Sequence, residues 1–203
     1  MNRWTTSRKK NKFTHGRWKS TIIMKKHKAI AIPVTFETDD KKPRFLTVRD
    51  RRWHEWIFVT GGCRKREIMS PLRCALRELE EETRGCMNLR SGSYTEFSFM
   101  VKDKEDGFDL HYSVYVFFVD VNNAQRQAMV RKFSEEKAKM QLRKHNKLPI
   151  KRVYDENDFM SWDTLEDFNK RKQWKMQVDH ILKNPEFYSA VSSQYRKTFN
   201  YVK

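Results

Sequence analysis

The sequence predicts an α+β or α/β sandwich, and three observations carry that prediction. Apolar stretches of strand period and of helix period alternate along the chain in the order β, β, β, α, β, β, α, α. One segment, residues 70–85, has a strongly one-sided helical pattern. The composition supplies a core: 38% of the 203 residues are hydrophobic, including 14 Phe, 7 Tyr and 6 Trp, which excludes a wholly disordered chain.

The elements read in order as follows. Residues 29–36 (AIAIPVTF) form a strand, with Pro33 expected at an edge or bulge because proline lacks the N–H that a ladder uses. Asp39 to Pro43 turn the chain, 44–49 (RFLTVR) return as a second strand and 56–60 (WIFVT) make a third. Gly61-Gly62 is expected to break that strand, and 63–69 to form a polar loop. Ser70 then caps a helix and Pro71 takes its first position; the helix runs to about 83, with Gly85 as C-cap. Residues 94–101 and 111–120 are two further strands joined across Asp106-Gly107, a hairpin signal. Residues 123–145 are helical and basic, with a thin apolar stripe of Val130, Phe133 and Met140. After a short apolar stretch at 159–162, Asp163-Thr164 open a helix carrying Leu165 and Phe168. The tail from Asn169 to Asn184 reads as helical, Pro185 interrupts it, and an aromatic segment ends at Tyr201.

The net charge of +17 is unevenly spread. Residues 1–28 carry +10 and residues 122–152 carry +8, which leaves the remainder at −1. A near-neutral body (28–203) is thus expected to bear a basic N-terminal arm (1–27), a basic insertion (122–152) and C-terminal helices (169–203). Such segments suit a polyanion. The candidate phosphate-contacting residues are Arg8, Lys9, Lys10 and Lys12 on the arm, and Arg131, Lys132, Arg143 and Lys144 on the insertion. Trp4, Phe13 and Trp18 interleave with the arm's cations and are able to stack on unpaired bases; Arg8-Lys9-Lys10 also reads as a nuclear-import patch.

No apolar run reaches the length of a membrane span, and no signal-peptide core is present, so a soluble intracellular protein of cytoplasm or nucleus is expected. Cys63, Cys74 and Cys86 have no CxxC spacing, which argues against a disulfide framework or a zinc site.

The chemistry concentrates in SPLRCALRELEEETRG, residues 70–85. Leu72, Ala75, Leu76 and Leu79 make one apolar face; Glu78, Glu81 and Glu82 cluster on the adjacent one. Like charges at this spacing repel, and they sit towards the helix end that disfavours anions. A hard divalent cation offsets both effects, and Mg²⁺ binds through one or two carboxylates plus substrate phosphates. Arg77 reaches Glu81 one turn on, and Glu80 points away to solvent.

Thr60-Gly61-Gly62, Ser70-Pro71, Ala75 to Glu82 and Gly85 together resemble the box of the Nudix hydrolase superfamily: Gly, five residues, Glu, seven residues, then Arg-Glu-aliphatic-x-Glu-Glu-x-Gly. Three departures stand out. Met69 occupies the place of the first Glu, so Glu67, two residues earlier, is the expected substitute. The loop after Gly62 is one residue longer, and the closing glycine comes one residue late, at Gly85. The strands before the box and Ser161-Trp162-Asp163-Thr164-Leu165 after it also resemble the family, and the likeness spans about 28–168. In size and charge the chain resembles Nudix proteins of large DNA viruses, including poxviral and asfarviral decapping enzymes and baculoviral ADP-ribose pyrophosphatases.

The resemblance implies an α+β fold of the α/β/α sandwich type and hydrolysis of a nucleoside diphosphate linked to another moiety, with Mg²⁺ or Mn²⁺ on Glu78, Glu81 and Glu82. It makes Glu156 the extra metal-binding or base carboxylate and Arg77 an orienting group. Gly61, Gly62, Arg49, Arg51, Arg52 and Trp53 are the expected substrate-binding residues. The charge ranks capped RNA first, cleaved to m7GDP and 5′-monophosphate RNA. ADP-ribose, dinucleoside polyphosphate and diphosphoinositol polyphosphate are the alternatives, and an RNA-binding module on the same scaffold is the alternative of another class.

Overall fold

The computed structural model of this chain describes residues 26–37, 39–89, 93–102 and 109–199. The expectations for Arg8, Lys9, Lys10, Lys12, Trp4, Phe13, Trp18, the Asp106-Gly107 turn and Tyr201 lie outside these residues.

Seven strands form one mixed sheet: β1 (Lys26–Phe36), β2 (Pro43–Asp50), β3 (Trp56–Ile57), β4 (Val59–Gly62), β5 (Tyr94–Lys102), β6 (Asp109–Phe118) and β7 (Asn157–Asp163). The strand order is β3-β2-β1-β6-β5, with β4 also pairing β1 and β7 also pairing β2. β1 runs parallel to β6, from Lys26 opposite Leu110 to Val34 opposite Phe118; its other neighbours are antiparallel.

The sheet is covered on both faces, and β1 shows why. Ala29 and Ala31 point into one cluster, with Leu46, Val48, Val59, Leu79 and Phe133. Ile30, Ile32 and Val34 point into the other, with Phe45, Phe58, Phe168, Ile181 and Phe187. The side-chain period of two therefore reads as an unbroken apolar run. α1 (Pro71–Glu82) and α2 (Asn123–His145) cover the first face. α3 (Leu165–Asn169), α4 (Lys175–Gln177) with a π-type turn (Val178–Leu182), and α5 (Pro185–Phe199) cover the second. The expected α/β/α sandwich is the observed architecture.

Four expectations need correction. β1 is central, so Pro33 is at no edge. It lies where the antiparallel partner of β1 changes from β4, whose first residue Val59 is opposite Ala31, to β2, whose Phe45 is opposite Val34. Gly61-Gly62 does not break the third strand: both residues pair with β1, opposite Ala29 and Lys28. The tail beyond α3 is helical only from Lys175 onward, because 170–174 run beside β3, where Gln173 forms a bridge with Trp56. Pro185 opens α5 instead of interrupting a helix, which suits a residue with no N–H to donate.

α1 ends in a Schellman geometry: the Gly85 N–H donates to the Glu80 carbonyl at 2.8 Å and the Arg84 N–H to that of Glu81 at 3.2 Å. The left-handed residue of the motif is Arg84, at φ +54°, ahead of Gly85, which is also left-handed at φ +71°. Gly85 is thus not itself the C-cap. α2 opens on a capping box between Asn122 and Gln125 and places Arg143, Lys144 and His145 in its last turn, where the helix dipole favours cations. Phe133 and Met140 are buried, so 123–145 is one helix docked along its thin stripe.

Phe58 is fully buried, with ring centroids of Phe45, Phe168 and Phe187 at 6.2, 5.1 and 6.0 Å. It joins the sheet to α3 and α5. Phe58→Ala is expected to cost about 3–5 kcal/mol through lost burial and a residual cavity, measured as a lower midpoint in equilibrium urea unfolding.

Candidate active site

The site grows from one guanidinium. Arg77, on the polar side of α1, donates from Nε and Nη2 to the two oxygens of Glu67, each at 2.9 Å. Its Nη1 reaches Glu78 at 2.7 Å and Glu81 at 2.8 Å, and Nη2 also donates to the Gly62 carbonyl at 2.9 Å. Five contacts use the planar fork fully. A 3₁₀ turn at Lys65–Glu67 brings Glu67 inward, where its carboxylate also accepts the Arg64 N–H at 2.8 Å. Met69, by contrast, is 94% exposed. Glu67 therefore takes the position expected of it. Hydrogen bonds from Arg77 hold its carboxyl down to about 2, and Glu67 in turn raises the Arg77 guanidinium.

The remaining carboxylates are shifted the other way. Burial pushes Glu78 up, with repulsion from Glu81 and Glu156 adding to it and Arg77 opposing it. Burial pushes Glu82 well up, reinforced by Glu78 and Glu156. Glu156, placed just before β7, is raised by burial and then by Glu81 and Asp50. Glu82 accepts from Asn157 Nδ2 at 3.1 Å and from the Thr60 backbone N–H. Glu80 is exposed, as its helical position requires.

Among the described residues no three His, Cys, Asp or Glu side chains converge as a ready-made cation cage. The carboxylates of Glu78 and Glu81 turn towards Arg77 instead. The chemistry of the donors nonetheless fits a hard divalent ion: every side-chain donor is a carboxylate oxygen, and Glu78, Glu82 and Glu156 are short of positive charge.

Gly61 has a specific role. A Cβ there would overlap the carboxyl carbon and oxygen of Glu78, whereas one on Gly62 would meet open space. Only a bare backbone lets β4 pass this close to the carboxylate.

Two cavities, or wings, share Asp50, and one of them includes Glu156. One is a cavity of about 480 Å³ lined by Trp53, Trp174, Asp50, Glu55, Lys28, Ile57 and Thr60. The other, of about 730 Å³, is lined by Arg51, Arg52, Lys144, Arg152, Asp155, Ile150 and Glu156. The expected substrate residues divide accordingly. Trp53, 59% exposed, faces the first wing, and Arg51, Arg52 and Lys144 face the second. Arg49 faces neither. It makes a two-pronged ion pair with Asp158 at 2.8 and 2.6 Å and lies over Phe159, so its part is structural. Arg131 lines a separate cavity with Arg44 and Trp162, Lys132 is exposed on α2, and Arg143 lies one cavity further from the carboxylates.

Trp174 and Glu55 were not legible as site residues. Trp174 reads as one apolar residue of a tail, and only the passage of 169–174 under β3, where the Trp56 N–H donates to the Lys172 carbonyl at 2.8 Å, carries it to Trp53. Glu55 gives a sequence signal only by adjacency to Trp53 and Trp56.

Residues 25–182 match the family model of the NUDIX domain. The chain belongs to the NUDIX domain family. No curated protein matches the chain in sequence. Among solved structures, this Nudix chain is similar to the NUDIX domain of Shewanella oneidensis NrtR in complex with ADP-ribose. The TM-score is 0.50 at 11% identity, over 86% of this chain and 88% of the other. It is also similar to the Ap4A hydrolase of C. elegans (TM-score 0.47, 13% identity, 84% and 98% covered) and to a Nudix hydrolase of Listeria monocytogenes (0.45, 13%, 86% and 95%). At these identities the likeness is one of Nudix fold. None of these three is viral.

Two outcomes follow. Gly61→Ala displaces the flexible end of Glu78 more readily than backbone, so circular dichroism should stay native while metal-dependent turnover falls about 100-fold, the scale of a misplacement of about 1 Å. A raised carboxyl stabilises the fold fully below its unfolded value and loses that stabilisation as pH rises through its folded value. Without divalent ions, Glu82→Gln should therefore melt above the wild type at pH 7–8, and the gap should close towards pH 4.5, as measured by thermal unfolding across that range.

Proposed function

We propose that this Nudix chain is a divalent-metal-dependent pyrophosphohydrolase of substrates in which a nucleoside diphosphate is joined to a second group. The observation that carries this reading is the cluster of carboxylates that Arg77 organises on α1; an aromatic, acidic cavity and a basic one that includes Glu156 share Asp50 beside it. The family pattern and the oxygen-only donor set support Mg²⁺ or Mn²⁺ on Glu78, Glu81 and Glu82, which would neutralise the pyrophosphate and activate a water.

The chain's own residues then divide the work. Arg77 fixes Glu78 and Glu81 in place through 2.7 and 2.8 Å bonds, and Asn157 fixes Glu82. Trp53 and Trp174 line the wing suited to a base, where stacking supplies affinity with little demand on base identity. Arg51, Arg52 and Arg152 line the wing suited to the second group and its phosphates. Glu156, raised by burial, is suited to accept the proton of the attacking water.

Two substrate classes fit this frame. ADP-ribose or a dinucleoside polyphosphate needs only the pyrophosphate and one base in the aromatic wing. Capped RNA is favoured by two particular observations. Asp50 and Glu55 in the aromatic wing suit the cationic purine of a cap, and the four cations of the basic wing suit a following chain of phosphates. Incubation of cap-labelled RNA, ADP-ribose and diadenosine tetraphosphate, separately, with Mg²⁺ or Mn²⁺ decides between them. Glu81→Gln is expected to lower turnover of the true substrate by about 100-fold or more, and Trp174→Ala to raise KM with a smaller effect on kcat. Turnover of none of the three by the wild type would sink the pyrophosphohydrolase reading.

A further inference from the structure

Beyond the basic wing lies a second, smaller cavity of about 250 Å³, between the C-terminal end of α1, the last turns of α2 and residues 149–154. The two cavities meet at Ile150, which lines both. The floor of the smaller one holds Arg84, whose side chain is an anomaly on three counts. It sits at the left-handed C-terminal residue of α1, at φ +54°, where a residue without a Cβ is easier to place. It is 95% buried. Its guanidinium donates to the carbonyls of Tyr154 (2.8 Å) and Asn157 and lies 4.0 Å over the Phe133 ring, but its Nη1 has no hydrogen-bond partner. Carbonyl dipoles and a ring face hold this cation; no carboxylate forms an ion pair with it among the described residues. Asp155, the charge that acts on it most strongly, is itself paired with Arg51 and Lys144.

The rim adds to the imbalance. Lys139, Arg143 and Lys151 line the cavity against one carboxylate, Glu136, which is taken by Lys139 at 2.7 Å. Arg143 is oriented by the Pro149 carbonyl at 3.1 Å and Lys151 lies over the Tyr154 ring, and neither makes an ion pair among the described residues. A buried charge without a counter-ion is costly, and an anion in the cavity would offset that cost.

We propose that this cavity binds backbone phosphates of a single-stranded RNA, with Arg84 as its buried cationic floor and Arg143 and Lys151 at its mouth. A single small anion would need only the floor. The run of cations from Arg51 and Arg52 past Ile150 to Arg143 and Lys151 matches a chain of phosphates leaving the catalytic cleft. The inference rests on the capped-RNA form of the function above and names where the body of that RNA lies.

Uncapped, 5′-labelled, unstructured RNA of twelve nucleotides tests it by fluorescence anisotropy in EDTA, where hydrolysis plays no part. Arg143→Ala with Lys151→Ala is compared with Lys42→Ala with Lys183→Ala, which removes the same charge elsewhere. Arg84 is left intact because it also supports Asn157 and, through it, Glu82. The mouth variant is expected to bind about tenfold more weakly and to lower the slope of log affinity against log salt by about 1, since single strands contribute about 0.7 per phosphate. The comparison variant should bind as the wild type does. Equal affinity and slope in the two variants would overturn the proposal. So would a mouth variant that loses competition by inorganic phosphate while its RNA affinity is unchanged. Because the RNA carries no cap and no metal is present, neither result depends on which substrate the carboxylates hydrolyse.

Discussion

The Arg77 guanidinium is the interaction on which the site depends. Among the described residues it ties together the loop before α1, the end of β4 and the carboxylates of α1, through Glu67, Gly62, Glu78 and Glu81. Removing it would take a donor from each of four partners and would turn Glu67, the best-compensated acid in the site, into a buried charge with only Arg64 beside it, while Glu81 would keep Arg64 Nη2 at 3.0 Å. A point charge such as lysine does not replace a planar fork aimed in several directions. The same contacts explain how the displaced glutamate is tolerated. The 3₁₀ turn at Lys65–Glu67 places Glu67 inward and leaves Met69 outward, so the longer loop still presents a carboxylate to Arg77.

Around that anchor the protein keeps charge it has not neutralised. Glu78 and Glu82 are buried, Glu156 stands near them at the surface, and each is shifted towards its protonated form. In stability terms this is unfavourable, and it persists because the sheet, with both faces covered by apolar clusters, supplies a rigid frame. A divalent ion bound there, as proposed, would relieve the repulsion and help hold phosphates. The Arg84 cavity repeats the pattern with the opposite sign. It lies close by, since Arg84 and Glu82 both contact Asn157.

The charge of the whole chain takes on a finer meaning in this arrangement. Part of the basic helix α2 is structural: Arg126 pairs with Glu37 at its start, and Lys137 donates to the Asp158 carbonyl at 3.0 Å. The end of the helix carries Lys144 into the basic wing and Lys139 and Arg143 into the cavity beyond it. The positive run that looked uniform in the sequence is divided by where the helix meets the body. Arg49, next in sequence to the basic wing's residues, is likewise withdrawn into a pair with Asp158.

The sequence by itself determined the sandwich, the amphipathic α1 and the Arg77, Glu78, Glu81, Glu82 set, because all of these follow from local periodicity. Spacing of three and four on a helix places side chains on one face whatever surrounds them. It also carried Glu67 and Glu156, through their offsets from the box and from Trp162. Only the tertiary structure decided which cations face the cleft, that Trp174 lines one cavity with Trp53, and that Arg84 stands where a closing glycine was expected. Those depend on contacts between residues about 70 to 120 positions apart, such as Arg84 with Tyr154 and Asn157, and Trp56 with Lys172. No local period encodes such contacts, because they are set by how the helices and the 149–156 segment close over the sheet.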